Sequence, residues 1–249
     1  MLKKINFHTH TKRCKHAKGE DKDYIDAAIK NNLDILGFSD HGPYPDNRFN
    51  LRMNFNELEE YKTTLEKLKI KFKNFIQIKI GLEIEYLPSD DFYYNYLKNE
   101  LKFDYLALGQ HLFLTENGEL KNTYSLKSTK EYIEYAKSIC LGIKSGYFDF
   151  VAHPDLIFIN DFPWDENCDK ACNIIIDTAK KYDFILEFNA NGIRRGKKKY
   201  SDGERFPYPY EKFWNKASLA KVKTIINSDC HTPCDLWDNT MDYAYTLAN

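Results

Sequence analysis

No stretch of this 249-residue sequence is apolar for long enough to span a bilayer. The opening segment, Met1-Leu2-Lys3-Lys4-Ile5-Asn6-Phe7, is too poor in apolar residues for a secretory leader. These two absences predict a cytoplasmic protein with no membrane partner. The six cysteines (14, 140, 168, 172, 230 and 234) are then expected as reduced thiols and not as a disulfide framework. Cys168 and Cys172 would share a helix face at i,i+4, but no second pair stands at zinc-finger spacing, which argues against a structural zinc there. No glycine-rich phosphate cradle surrounds any cysteine, which excludes acid-phosphatase designs built on a Ser or Cys nucleophile. Charge of one sign is also lacking. With 36 basic against 37 acidic side chains the chain has a formal net charge of -1, so no stable nucleic-acid partner is expected. Without a linker, a low-complexity stretch or a repeat, residues 1–249 read as one domain.

What the chain does have is a rhythm. Short apolar, β-rich runs fall at Ile5–Phe7, Ile35–Phe38, Ile76–Ile84, Tyr105–Leu108, Phe148–Ala152, Phe184–Phe188 and Val222–Asn227. Between them, helical spacing predicts helices near 21–31, 55–73, 90–101, 128–144, 167–182, 209–220 and 235–247. Asn54 or Asn56 is placed to cap the second, and Ser128 the fourth. Nearly continuous apolar strands alternating with helices point to a parallel sheet covered on both faces. Left open, this is a doubly wound sheet. Seven units in one domain of this length favour closure into a barrel. Either way the active site is expected beyond the C-terminal ends of the strands.

All seven histidines fall at that end. His8, His10 and His16 follow the first strand, His41 the second, His111 the fourth, His153 the fifth and His231 the seventh. Singly, each is an ordinary surface or core residue. Together they would crowd one space, where imidazoles cannot all be protonated. Metal ions resolve that conflict, because neutral imidazole is a good metal ligand. His8 and His10, two apart on a strand end, point the same way and form a chelating pair.

Carboxylates complete the set. Glu83 and Glu85 end the third strand, and Asp229 stands two residues before His231. A carboxylate can bridge two cations and offset their mutual repulsion, which neutral imidazole cannot. Glu83 is the favoured bridge. Glu85 stands further out, where a surface salt bridge is the competing reading.

In the order His-x-His, a further His, Asp-His-Gly, Gly-x-Glu, Gly-Gln-His, Ala-His-Pro and Ser-Asp-x-His, the chain resembles the polymerase-and-histidinol-phosphatase (PHP) superfamily from His8 to His231. The resemblance implies an α/β fold, a distorted (β/α)7 TIM-like barrel, with its active site at the C-terminal strand ends. It also implies three divalent metal ions. One would be held by His8, His10, Glu83 and Asp229. A second would share Glu83 and add His111 and His153, and the third would take His16, His41 and His231. Ligand chemistry suits zinc, manganese or iron. Cys14-Lys15-His16-Ala17, Leu51-Arg52-Met53 and Glu187–Arg194 are similar to the bacterial histidinol-phosphate phosphatase branch. Two departures stand out. Arg195–Arg205 is a longer insertion than the family pattern has, and Cys230 stands where an alanine is usual.

The expected reaction is hydrolysis of a small phosphate monoester, L-histidinol phosphate to L-histidinol and phosphate, a step of histidine biosynthesis. A hydroxide between the first two metals would attack phosphorus directly. This places Glu83, Asp229, Asp40 and Asp155 among the catalytic carboxylates, the last two either orienting ligand imidazoles or protonating the leaving alkoxide. Arg194, then Arg52, would clamp the phosphoryl oxygens unless spent in surface ion pairs. Asn189 and Asn191 would bond substrate or their own loop. Alternative readings are a related phosphoesterase acting on a nucleotide, sugar phosphate or oligonucleotide, and a metal-binding module without catalysis.

Overall fold

The computed structural model of the protein describes residues 3–248; Met1 and Leu2, which open the segment weighed above as a leader, and Asn249 lie outside the described residues. Strands run over Ile5–Asn6 (β1), Ile35–Phe38 (β2), Gln77–Ile84 (β3), Tyr105–Leu108 (β4), Leu112–Leu114 (β5), Leu120–Asn122 (β6), Phe150–Val151 (β7), Ile185–Asn189 (β8), Lys198–Tyr200 (β9), Gly203–Arg205 (β10) and Thr224–Asn227 (β11). Helices run over Asp21–Lys30 (α1), Leu58–Phe72 (α2), Asp91–Asn95 (α3), Lys130–Ser145 (α4), Glu166–Lys181 (α5), Asn191–Arg194 (α6), Glu211–Ala220 (α7) and Asn239–Ala248 (α8).

Seven strands share one sheet in the order β1-β2-β3-β4-β7-β8-β11, the seven apolar runs of the sequence. The β1–β2, β2–β3 and β7–β8 pairs are parallel. From Ile80 to Ile84, β3 is buried at every position, as expected of a strand with helices on both sides. Each such fully buried aliphatic side chain contributes about 1.5–3 kcal/mol. By Cα proximity the chain forms two compact units. The first takes in the residues up to Ile84, Tyr93–Ala107 and the chain from Ile226 onward; the second takes in Glu85–Phe92 and Leu108–Ile225.

In the first unit β1 has only two residues, too few for a full ladder, and side chains do the stitching. Buried Asn6 accepts from Ser228 N (2.8 Å) and donates to Thr9 Oγ1 (2.8 Å), while Asn227 Oδ1 accepts from Phe7 N (2.8 Å). These bonds join the first and last strands of the sheet order. Tyr105 fills the space beneath, its hydroxyl 2.8 Å from both Phe7 O and Phe38 O. Gly37 and Gly81 make room for it. A Cβ at either would stand 2.5 or 2.6 Å from the Tyr105 side chain.

In the second unit, α4 and α5 pack together, with Ile139, Ile143, Ile175 and Ile176 all buried and Cys140 Sγ on α4 3.0 Å from Thr178 Oγ1 on α5. Cys168 and Cys172 lie in this buried face of α5, and burial pushes the Cys168 thiol up to about 11. Asp165 caps α5, accepting from Asn167 N and Cys168 N.

One expectation left open is resolved and several need correction. Asn54, not Asn56, caps the second helix, in a reciprocal box with Glu57 over a 3-10 turn that precedes α2. Ser128 does not cap the fourth. That helix begins after Thr129, whose hydroxyl is committed to Asp165 (2.5 Å). The helix expected at 90–101 divides into α3 and a wider turn over Tyr96–Glu100, closed by Leu101 N on Tyr96 O. Two hairpins, β5–β6 and β9–β10, lie where loops were expected. Asn117-Gly118, and Ser201-Asp202 with Gly203 opening β10, are the signals that could have announced them, and both glycines have positive φ.

Candidate metal centre

In the first unit, backbone pairing brings the chelating residues to strand ends. Thr9 bridges Cys230 and His41 bridges Glu83, both in parallel sense, and His10 N donates to Cys230 O (3.0 Å). Cys230, the departure from the family pattern, is fully buried and serves this pairing through its backbone. His8 and His10 are fully buried and their Nε2 atoms lie 3.0 Å apart. Glu83 Oε2 is 3.2 Å from His8 Nε2, 3.3 Å from His10 Nε2 and 3.0 Å from His41 Nδ1. Asp229 Oδ1 is 3.5 Å from His8 Nε2 and 3.2 Å from His10 Nε2. Asp229 adopts φ 46°, a left-handed conformation that costs a non-glycine residue energy and recurs at functional sites.

Next to this group, the ligand atoms of His10, His41 and His231 lie within 4.8 Å of one another. His16 Nδ1 is 2.7 Å from Cys14 O, and His231 Nδ1 is 3.1 Å from Asp229 O. A carbonyl only accepts, so in both rings Nδ1 carries the proton and a neutral Nε2 is a bare lone pair. Those two Nε2 atoms face each other at 3.0 Å. Two lone pairs at that distance repel unless a proton or a cation stands between them.

The electrostatics record the same crowding. Burial works to lower the His10 pKa, yet hydrogen bonds with Asp229, Cys14 and Glu83 carry it well above the ordinary value. Burial, then the charge of His10, pushes His231 down to about 3. Burial works to raise Asp229, but His8, His10 and His231 hold it well below the usual carboxylate range. Burial raises Asp40 to about 7, and both its oxygens are spent on Thr11: Oδ1 accepts from the backbone N–H (2.7 Å) and Oδ2 from the hydroxyl (3.0 Å). Asp40 thus anchors the loop just after His10 and bonds no imidazole directly. Arg52 is buried, its Nη1 donating to Gly42 O (2.9 Å) and its guanidinium lying 5.2 Å from the Phe49 ring centre.

In the second unit, His111 follows β4 and His153 follows β7, their ring centres 4.9 Å apart. His111 Nδ1 is 3.7 Å from Glu85 Oε1, and the ring stacks on Tyr124. His153 adopts φ 31°. Buried Glu187 holds it there: Oε2 accepts from His153 N (3.0 Å) and from Asn189 Nδ2 (2.8 Å). Asn189 Oδ1 accepts in turn from Asn191 N (2.9 Å), so Asn189 braces the entry to α6, the short helix that carries half-buried Arg194. Asp155 is fully buried and raised by burial to about 6. Its hydrogen bonds go to Tyr210 N (2.6 Å) and Trp214 Nε1 (2.9 Å), not to an imidazole. Gln110 clamps the strand ends: Oε1 accepts from Tyr86 N (2.5 Å) and Nε2 donates to Ser138 Oγ.

The PHP domain matches residues 6–191, three quarters of the chain. The chain belongs to the PHP domain family.

Among relatives of this PHP chain, the histidinol-phosphatase of Bacillus subtilis is 24% identical, over 98% of this chain and 97% of its own. A Deinococcus radiodurans protein named "Probable histidinol-phosphatase" is 25% identical, over 91% of this chain and 85% of its own. Two solved structures share the fold. A candidate histidinol phosphatase from Listeria monocytogenes superposes with a TM-score of 0.76 at 20% identity, covering 96% of this chain and all of its own. The histidinol phosphate phosphatase of Lactococcus lactis, complexed with zinc, L-histidinol and phosphate, gives 0.72 at 18% identity, covering 100% and 93%. The expected seven-stranded TIM-like α/β fold is the one this PHP chain has.

The donor set of this PHP domain fits divalent metal ions. His8 Nε2, His10 Nε2, Glu83 Oε2 and Asp229 Oδ1 are separated by 3.0–3.5 Å in the five pairs described above. His8, His10 and Asp229 fall together within ligand distance, and each of the five separations is one that two donors of a single cation can have at bonds of about 2 Å. The facing Nε2 pair of His16 and His231 fits a cation for the reason given.

Sequence reasoning missed three contributors to these groups. Cys14 lies beside His16 and His231, within ligand distance. Burial works to raise its thiol, but hydrogen bonds to His10 and His16 bring it down to about 6. Its place two residues before His16 was the available signal. Glu187 sits in a motif already singled out, yet carried no role there. Gln110, next to His111, carried no signal, since its partners Tyr86 and Ser138 stand 24 and 28 residues away.

Proposed function

We propose that this PHP domain is a metal-dependent phosphatase of small phosphate monoesters, with L-histidinol phosphate as its substrate. The observation that carries the reading is the convergence of two buried imidazole nitrogens on two buried carboxylate oxygens, each nitrogen within 3.5 Å of both. Relatives named as histidinol-phosphatases over nearly the whole chain support the substrate, as does the Lactococcus lactis protein complexed with zinc, L-histidinol and phosphate.

In this reading His8, His10, Glu83 and Asp229 hold one divalent cation. His16, His41 and His231 would hold another, and His111 and His153 in the second unit would be ligands to a further one. Zinc, manganese and iron all suit this donor set, with zinc supported by the Lactococcus lactis structure. Bound divalent cations lower the pKa of water and neutralise charge on phosphoryl oxygens. The chain's own residues do the remaining work. Asp229 and Glu83 keep their imidazole partners oriented, Asp40 fixes the Thr11 loop, and Glu187 fixes the His153 backbone. Arg194 binds phosphoryl oxygens, with Arg52 and Asn191 lining the substrate. Asp155, held near neutrality at about 6, is the chain's candidate to give the leaving alkoxide its proton. The whole chain acts as one phosphoesterase domain in the cytoplasm, and among the described residues no helix is long and apolar enough to cross a membrane.

The test is phosphate release from L-histidinol phosphate, beside a panel of nucleotides, sugar phosphates and a short oligonucleotide. Release should fall on chelation and return with zinc or manganese. No release from any of them with any metal supplied would sink the reading. Faster turnover of a nucleotide or sugar phosphate would move the substrate and keep the chemistry.

A further inference from the structure

The insertion Arg195–Arg205 folds as the β9–β10 hairpin, pairing Lys198 with Arg205, Lys199 with Glu204 and Tyr200 with Gly203. From Arg194 to Arg205 there are six basic and two acidic side chains, in a protein whose formal net charge is -1. The rest of the chain is therefore acidic on balance, and this hairpin is a local concentration of positive charge.

Beyond Arg194 and Arg195, which lies over the Tyr208 ring, the other four cations fall into two kinds. Arg205 is committed to structure. Its Nε donates to Asp202 (2.9 and 3.1 Å), its Nη1 donates to Phe158 O (3.2 Å), and its guanidinium lies over the Tyr200 and Tyr210 rings at 3.8 and 4.4 Å. Ser201 N adds a bond to Asp161 Oδ1 (2.7 Å). Together these contacts tie the hairpin to the segment that follows β7 and His153. Lys197, Lys198 and Lys199 are exposed and make no ion pair; only Lys197 has a ring neighbour, Phe206 at 5.6 Å. The hairpin leaves α6, and so Arg194, at the C-terminal end of β8. A braced arm thus holds three exposed ammonium groups, none in an ion pair, on the same strand-end side as His153 and Arg194.

We propose that this hairpin is an electrostatic guide that gathers phosphate monoester dianions and speeds their entry to the site. The proposal rests on the phosphatase reading for the identity of the substrate. Opposite charges attract over about 10 Å at 0.1 M salt, and a fixed patch of one sign raises the on-rate of a charged ligand by 10-fold or more. The competing account is edge protection, because lysines on a short exposed strand also block pairing with another chain. Glutamate protects an edge equally well, so reversing the sign separates the two.

The experiment compares the metal-loaded wild type with the triple variant K197E/K198E/K199E. At low salt the variant should lose about tenfold in kcat/KM for L-histidinol phosphate, with kcat unchanged. The gap should close near 1 M salt, where the screening length shrinks to about 3 Å. K197Q/K198Q/K199Q should fall between the two. In parallel, calorimetry of inorganic phosphate binding at low and high salt reads the same guidance without turnover. Weaker low-salt phosphate binding by the variant supports the guide even if L-histidinol phosphate proves not to be the substrate. Equal kcat/KM and equal phosphate affinity across salt would overturn it. So would an unchanged monoester reaction in a variant that has lost affinity for a single-stranded oligonucleotide, which would assign the charge to a polymeric anion.

Discussion

His8 Nε2 and His10 Nε2 lie 3.0 Å apart, and Glu83 Oε2 lies within 3.3 Å of both. A carboxylate held beside two buried imidazoles gives all three a partner, and each of the three loses one if another is removed. His10→Ala should therefore remove bound metal and lower phosphate release by at least about 100-fold, since even partners beyond the ligands cost 10- to 100-fold in such sites. Elemental analysis and turnover on the same preparation check this. Retained far-ultraviolet circular dichroism would confirm that the fold survives.

Glu187 acts at one remove, through the His153 backbone and the Asn189 amide. Glu187→Gln keeps the shape but turns one carboxylate oxygen into an amide donor. Activity should fall about 10- to 100-fold, with a matching loss of metal affinity. Stability should fall by about 1–3 kcal/mol as a buried bond to a charged group is lost. Metal titration of the variant separates this from a purely structural effect, which would leave the affinity unchanged.

Gly192 leaves no room for a side chain, because a Cβ there would stand 1.9 Å from Tyr208 O. Gly192→Ala must push α6 away from that carbonyl, at a cost of about 1–3 kcal/mol. Arg194, two residues on, moves with it. The variant should show a higher KM for the monoester in addition to a lower melting temperature. An unchanged KM would remove Arg194 from the substrate contacts.

Asp104 gives the fold a pH dependence away from the site. Burial works to raise its pKa, but Lys69 Nζ (2.8 Å), Ile80 N (2.8 Å) and the Lys79 charge hold it below the ordinary value. A carboxyl with a depressed folded pKa stabilises above its unfolded value near 4, and that contribution is lost as pH falls through the folded value. Asp104→Asn should cost about 1 kcal/mol at pH 7, a figure discounted for the group's contact with water. The difference from wild type should shrink steadily below pH 4. Urea unfolding at pH 7 and pH 3 measures it, and an equal difference at both values would contradict the account.

Local patterns in the sequence carried far. The seven strands of the main sheet were legible because each is a short apolar run between polar loops, and a parallel strand buried on both faces leaves that mark wherever it pairs. The histidines were legible as strand-end residues for the same reason. Hairpins β5–β6 and β9–β10 were not, because their strands are short and partly exposed and only Asn117-Gly118 and the turn Ser201-Asp202 mark them. The Ser128 cap failed because Thr129 and Asp165, 36 residues apart, settle that corner between them.

By itself the sequence determined which donor types stand at which strand ends, since alternation along a strand and the chelating spacing of His8 and His10 are local properties. Only the tertiary structure decided what holds those donors in place. Asp40 went to Thr11, Glu187 to the His153 backbone, Asp155 to Tyr210 and Trp214, and Asn6 to Ser228. Each of these buried polar groups had to find a partner, and burial cost alone required one. Which partner it found, 29 to 222 residues away, depended on how the strands lay side by side.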